Sequence, residues 1–347
     1  MTELVTIKDV ARRAGVSSAT VSMVLNRVSA SRISEATAER VRLAAAELGY
    51  APNLLARGLR RRRTDTIAVL SDQIATTSLA PHMVRAIQDV AARNGLLVFM
   101  VNTEGDREVE RSAVAALNQQ RVDGFVYACL AHRVVEPPAG TGPNVVLLNG
   151  RMHRLRYPTV VPDDRGGARA AVSELLRHGH RRIGFINDRR NGLTARLRLV
   201  GYHEALSAFQ VRFEPERVRY VLPGLDAGAA AARQLVEEAG VTALFCFNDR
   251  VAVGAYRGLR QRGLRVPGDV SVIGFDDHEF VADFADPPLT TVSLPHYAMG
   301  EWAVSMLVDL INGADGEPVL QVMPCEVVRR ASVAPPGDQR YGLVKPP

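Results

Sequence analysis

Five side chains near the start of the chain, Ser18, Ala19, Ser22, Met23 and Asn26, offer hydroxyl, methyl, thioether and amide groups but no charge. At 100° per residue they share one arc of a helix, opposite Val21, Val24 and Leu25. Short uncharged groups let a helix backbone lie deep in a DNA major groove about 12 Å wide. There hydroxyls meet donors or acceptors, while Ala19 and Met23 can touch thymine methyls. An ordinary exposed face would carry Lys, Glu or Arg instead.

A second polar set ends short apolar runs: Asp72, Asn149, Asn187, Asn248 with Asp249, and Asp276 with Asp277. Arg196 follows "INDRRNGL". Arginine presents a planar fork of donors and aspartate a pair of acceptors, which together suit vicinal hydroxyls. The set predicts a site for a neutral polyol, most simply a sugar. Any one of these residues reads equally well as a helix cap, so the convergence of several carries the argument.

Other chemistry is not supported. No GxGxxG or GxxxxGK[ST] is present, so no nucleotide cradle is expected. His178 and His180 in "HGH" suit carbonyl caps better than a metal, and "DDHE" at 276–279 lacks ligand spacing. "RGGARAA" is too common a helix start to mark an anion site, and Trp302 suits packing. With no nucleophile–base pair and no metal constellation, neither an enzyme nor a cofactor is expected. Cys129, Cys246 and Cys325 form neither a disulfide framework nor a CxxC site, which fits a reducing cytoplasm. No secretory signal and no apolar run long enough to span a membrane are visible.

The elements that must hold these residues divide the 347-residue chain. Residues 1–63 carry 12 basic against five acidic side chains, a balance of +7, while the remainder is −1. An isolated basic module on a near-neutral body points to a polyanion partner at one end. Thr6, Ser17 and Ser34 are placed to cap three short helices, and Gly15 ends the first. Residues 1–50 therefore read as an all-α helix-turn-helix head. Next, 51–65 reads as a hinge helix and linker with Leu55 and Leu59 at i, i+4 beside an arginine run. So short a helix needs a partner to fold, and its leucine suits a minor-groove wedge.

From residue 66 short apolar runs alternate with amphipathic stretches at 82–94, 108–120, 166–178, 194–209, 227–239 and 250–262. That alternation predicts α/β architecture with parallel sheets covered on both faces. "TIAVLSD" and "RRIGFIND" are approximate copies, which implies two Rossmann-like lobes, 66–162 plus 291–322 and 163–290 plus 323–335. Residues 336–347 read as a flexible tail without a leucine heptad.

"TIKDVARRAGVSSATVSMVLN", "ISEATAERVRLAAAELGYAPN" and "ARGLR" resemble the LacI/GalR family of bacterial transcription regulators, and the similarity continues to about residue 333. The resemblance implies a two-lobed body like a periplasmic binding protein. It places Ser18, Ala19 and Met23 where the family reads bases and Leu59 where it inserts the hinge leucine. Thr6, Ser17, Thr20, Asn26 and Asn53 match backbone-holding positions, and Ser22 and Ala56 join the expected DNA-binding set. Asn149, Arg196, Asn248 and Asp276 match effector positions, with His296 near another and Asp72 at the first strand end. Many members carry Arg or His where Met23 stands, and the aromatics frequent near Leu79–Ala80 and 221–225 are missing.

The expected protein is a homodimeric, sugar-responsive transcriptional repressor that binds double-stranded DNA. A single helix-turn-helix reads few base pairs, whereas two copies on a twofold axis read a pseudo-palindrome. The alternative is a two-lobed sugar-binding receptor that serves a transporter.

Overall fold

The chain is described by a computed structural model over residues 5–25, 33–50, 63–74 and 81–337. Asn26, Asn53, Ala56, Leu59 and the expected hinge up to residue 62 lie outside the described residues, as do Leu79, Ala80 and the last ten residues. Two units are present, Met1–Thr64 and Asp65–Pro347.

Local capping sets the helices of the first unit. Thr6 donates its N–H (3.0 Å) and its hydroxyl (2.6 Å) to the Asp9 carboxylate at the start of α1 (Ile7–Ala14). Gly15, at φ +66°, ends that helix in the left-handed region. Ser17 Oγ accepts from the Thr20 N–H (3.1 Å) at the start of α2 (Ser18–Leu25). Ser34 does the same for Thr37 at α3 (Glu35–Glu47). Val10, Ala14, Val21, Val41 and Ala44 close a core of their own.

In the second unit, strands and helices alternate as their apolar runs require. The first lobe holds β1 (Thr66–Ser71), α4 (Pro81–Arg93), β2 (Leu97–Asn102), α5 (Arg107–Gln119), β3 (Gly124–Val134), β4 (Val145–Arg151) and β5 (Thr159–Pro162). The second holds α6 (Asp164–Arg177), β6 (Ile183–Asp188), α7 (Leu193–Ala208), β7 (Val218–Val221), α8 (Leu225–Ala239), β8 (Ala243–Cys246), α9 (Asp249–Arg260), β9 (Ser271–Ile273) and the one-turn α10 (Glu279–Ala282). The chain then forms β10 (Thr291–Ser293), α11 (His296–Ile311), β11 (Leu320–Met323) and β12 (Glu326–Val328).

The first sheet is parallel throughout, in the order β11-β5-β4-β3-β1-β2. One face packs on α4 and α11 through Ile67, Val69, Met83, Ile87 and Leu307, and the other buries Leu70, Phe125 and Leu147. The second sheet, β7-β6-β8-β9, is also parallel and is covered on both faces. In each sheet the strand order reverses beside the first strand of its lobe, which opens a crevice at the carboxyl ends.

The lobe boundary differs from the sequence expectation at one point. Residues 291–293 pair antiparallel with β12, and Asp276 bridges to Ser293, so β10 belongs to the second lobe and the chain crosses at 294–295. That pairing is long-range and leaves no local signature. Three crossings join the lobes, at 162–164, 294–296 and 323–326.

Helices of the second lobe approach closely through glycine. A Cβ on Gly228 would stand 2.6 Å from the Val251 carbonyl oxygen, and one on Gly258 would fall onto that of Ala229. Only the missing side chain lets α8 and α9 touch backbone to backbone.

Candidate functional site

On α2, Val21 is fully buried in the head core, whereas Ala19 is exposed and Ser18, Ser22 and Met23 are half-buried. The helix therefore presents the uncharged arc away from its core. Ser17 and Thr20 hydrogen-bond one another through their hydroxyls (2.9 Å), and the Thr6 hydroxyl is committed to Asp9, so these three set the helix starts.

In the body, a cavity of about 360 Å³ lies at the carboxyl ends of both sheets and is lined from both lobes. Arg198 on α7 anchors it and is 3% exposed. Its Nε and Nη2 each stand 2.9 Å from Asp164 Oδ1, Nη2 is 3.6 Å from Asp276 Oδ1, and Nη1 donates to the Phe247 carbonyl. The guanidinium also lies 3.5 Å from the centre of the Phe275 ring. Asp164 accepts in turn from His132 Nδ1 at 3.0 Å. Arg190 forks onto Asp188, with Nη2 at 2.6 Å, and Arg133 reaches Asp72 at 3.1 Å. Every guanidinium on the wall thus has its own carboxylate.

Burial pushes the His296 imidazole down to about 4, assisted by His82, so it is neutral at physiological pH. Burial pushes the Asp276 carboxyl up to about 6, against the pull of Arg198. Asp249, behind the wall, is pushed up to about 8 by burial and then by the charge of Asp276; it accepts from Thr291 and from the His278 N–H.

The structure brings together four residues expected from sequence: Asn149, Asn248, Asp276 and His296. Asn248 also caps α9, its Oδ1 accepting from the Val251 N–H at 3.0 Å, so one residue both caps the helix and lines the cavity. Two residues are corrected. Arg196 is exposed and donates to the Asn191 carbonyl at 3.3 Å, outside the cavity. Two positions along a helix is a turn of about 200°, so Arg196 and Arg198 face opposite ways. Asp72 stands behind the wall, where it accepts from the Leu130 N–H (2.8 Å) and holds Arg133.

His132, Asp164, Asp188, Arg190, Arg198 and Phe247 also line the cavity and were not expected. Arg198 was findable, because it shares the buried stripe of Tyr202 and Ala205. Phe247 supplies an aromatic surface to the wall. Asn187, which was considered, is internal: its amide donates to the Ala195 carbonyl at 3.1 Å. His178 bonds the Glu174 carbonyl at 2.9 Å, as a capping role requires, and Trp302 packs on the first-lobe core.

Residues 6–53 match the profile described as bacterial regulatory proteins, lacI family, and residues 172–333 match a periplasmic binding protein-like domain. The HTH-type transcriptional repressor PurR of Aliivibrio fischeri (strain MJ11) is 35% identical over 346 residues, covering 95% of this chain and 98% of that protein. The chain belongs to the lacI family. Among solved structures, this lacI-family chain is similar to the lac repressor dimer bound to operator and the anti-inducer ONPF. That match has 31% identity and a TM-score of 0.79, covering 96% of this chain and 100% of the other. It is also similar to a CelR–cellobiose complex, with 33% identity and a TM-score of 0.67 over 94% and 99% of the two chains. The lacI-family member described here is a sequence-specific DNA-binding transcriptional regulator, which sets aside the transport-receptor alternative. No described helix is long and apolar enough to cross a membrane.

Proposed function

We propose that the chain is a homodimeric repressor of carbohydrate-utilisation genes whose hold on a pseudo-palindromic operator is controlled by a neutral, sugar-like effector bound between the lobes. The observation that carries this reading is the cavity wall. Each guanidinium has a carboxylate partner, while amide, carboxyl and neutral imidazole groups converge on a space of about 360 Å³. A wall of that kind suits hydroxyl-bearing ligands, and Phe247 offers an apolar ring face. The cellobiose held by a similar regulator supports the same class of ligand.

In this reading Asn149, Arg198, Asn248, Asp276 and His296 contact the effector. Ser18, Ala19, Ser22 and Met23 face base edges, with Thr6, Ser17, Thr20, Asn26 and Asn53 holding the DNA backbone. Ala56 and Leu59 belong to hinge segments that pair at the operator centre, where the leucines open the minor groove. Apolar surface supports a second copy: Leu97, on edge strand β2, is 58% exposed, and Phe280 and Phe284 are 69% and 78% exposed. An effector that reorients the lobes shifts the spacing on which hinge folding depends. A coupling of about 1–3 kcal/mol corresponds to a change of about 5- to 150-fold in operator affinity.

The test is selection of bound duplex from a random pool by the full chain, with and without a panel of neutral sugars. The expected pool is dyad-symmetric and its retention changes when one sugar is added. A pool without dyad symmetry would refute the paired-head reading, and indifference to every sugar would refute the effector reading.

A further inference from the structure

Asp276, which lines the cavity, has a backbone conformation that an L-residue rarely adopts. Its φ is +110° and that of Asp277 is +54°, so two consecutive non-glycine residues are left-handed just beyond β9. In that conformation the Asp276 carboxyl stands on the cavity wall, 3.6 Å from Arg198 Nη2. Such a turn persists only where its surroundings over-determine it. Left unheld, it would relax toward negative φ and re-aim the side chain.

One residue brackets the turn. Asp249, the first residue of α9, donates its N–H to the Phe275 carbonyl at 2.8 Å and accepts the His278 N–H on Oδ2, also at 2.8 Å. It therefore holds the chain on both sides of Asp276 and Asp277. Its other carboxyl oxygen accepts from the Thr291 hydroxyl on β10, the strand whose Val292 carbonyl accepts the Asp276 N–H at 2.9 Å. Gly274 makes room for this carboxyl, because a Cβ there would collide with Asp249 Oδ1. Helix capping does not account for the side chain. Asn248 already caps α9 through the Val251 N–H, and the Asp249 carboxyl bonds away from its own helix. Asp249 is 1% exposed and is not part of the cavity lining. Burial, and then the charge of Asp276, pushes its carboxyl up to about 8, so it is mostly neutral at pH 7 and can stand beside a second acid.

We propose that Asp249 is a positioning residue for effector binding: by bracketing residues 275–278 it holds Asp276 in the left-handed conformation that presents its carboxyl to the ligand, and it touches no ligand itself. The role rests on the effector contact assigned to Asp276 and deepens it.

The experiment is calorimetric titration of the full chain with ribose, glucose and cellobiose, together with hydrogen exchange of residues 274–279. The tightest-binding probe is compared across wild type, Asp249→Asn, Asp249→Ala, Asp276→Ala and the double alanine variant. Asp249→Ala should weaken binding about tenfold or more. Asp249→Asn keeps an oxygen for the His278 N–H and offers a hydrogen to Thr291, so it should restore affinity to within about threefold of wild type. Asp276→Ala should also lose about tenfold or more, and adding Asp249→Ala to it should cost less than about threefold. A merely structural role gives the same loss in both backgrounds, and that result overturns the proposal. Wild-type affinity in Asp249→Ala overturns it too, as does an equal loss in the asparagine and alanine variants. Wild-type affinity in Asp276→Ala instead removes the Asp276 contact, and the role of Asp249 with it. If no probe binds, the carbohydrate reading fails and exchange decides for Asp249. Exchange of the His278 amide about tenfold faster or more in Asp249→Ala, with Ile183–Asp188 unchanged, supports the bracket, and unchanged protection overturns it. If Asp249→Ala does not fold, Thr291→Val takes its place, because it removes only the hydroxyl bonded to the carboxyl. It must then weaken binding about threefold or more in the wild-type background and not in Asp276→Ala; any other result overturns the proposal.

Discussion

Replacing Arg198 with methionine isolates what the buried guanidinium does. Methionine keeps an unbranched apolar stem against Phe275 but removes both contacts to Asp164, the donation to the Phe247 carbonyl and the charge facing Asp276. Among the described residues, Asp164 retains only His132 as a hydrogen-bonding side chain, and it stays enclosed at 1% exposure. Removing one partner from a buried ion pair costs about 3–5 kcal/mol, because the remaining charge has lost its counter-ion. For a unit of this size, about 2–3 °C per kcal/mol gives a fall of about 6–15 °C in the melting of the body. Effector affinity should fall by about 10- to 150-fold, the equivalent of one charge-assisted hydrogen bond of about 1.5–3 kcal/mol.

The control is Arg196→Met, two residues away, whose exposed side chain donates to a carbonyl at 3.3 Å. Its effect on stability should stay within about 0.5 kcal/mol, with effector binding unchanged. Scanning calorimetry and ligand titration read both variants, and operator binding in the absence of effector checks the head, which has its own core. Loss of response in Arg196→Met with a normal Arg198→Met protein would refute the assignment. A fall of less than about 2 °C in Arg198→Met would show that the pair is not required.

Two further outcomes follow from the geometry. The Asp276 carboxyl, pushed up to about 6, is mostly protonated at pH 5 and mostly ionised at pH 7. If effector hydroxyls donate to the ionised form, affinity should rise about tenfold across that interval and flatten above it. His296, pushed down to about 4, contributes nothing there, so a flat or falling titration profile between those pH values would exclude the contact. In the second lobe, Gly258→Ala should destabilise the body by about 1–3 kcal/mol, although alanine favours a helix by about 1 kcal/mol, because the new methyl collides with the Ala229 carbonyl. Urea melts showing a neutral or stabilised variant would contradict the close α8–α9 contact.

The sequence by itself determined what short-range chemistry can encode. The caps at Thr6, Ser17 and Ser34, the left-handed end at Gly15 and the apolar face of α2 are fixed by residues within a few positions of one another. The alternation of buried strands with amphipathic helices is local in the same sense, and observed helix ends fall within about two residues of the expected ones. Strand-end polarity pointed to Asn149, Asn248 and Asp276, since every parallel strand delivers its last residue to the same edge of the sheet.

Only the tertiary structure decided which polar groups share a space. Asp164 is an ordinary first-turn acid in the sequence; it becomes a keystone because residues 132 and 198, on different lobes, converge on it. Arg196 and Arg198 are chemically identical, and the choice between them belongs to the side of α7 that packs inward. Asp72 lost its place to Arg133 through a long-range bond to the backbone of Leu130, and residues 291–293 joined the second lobe through pairing with 326–328. Capping and periodicity act within one element, whereas a ligand site is made by elements far apart in the chain. Its members are selected by packing that no local pattern records.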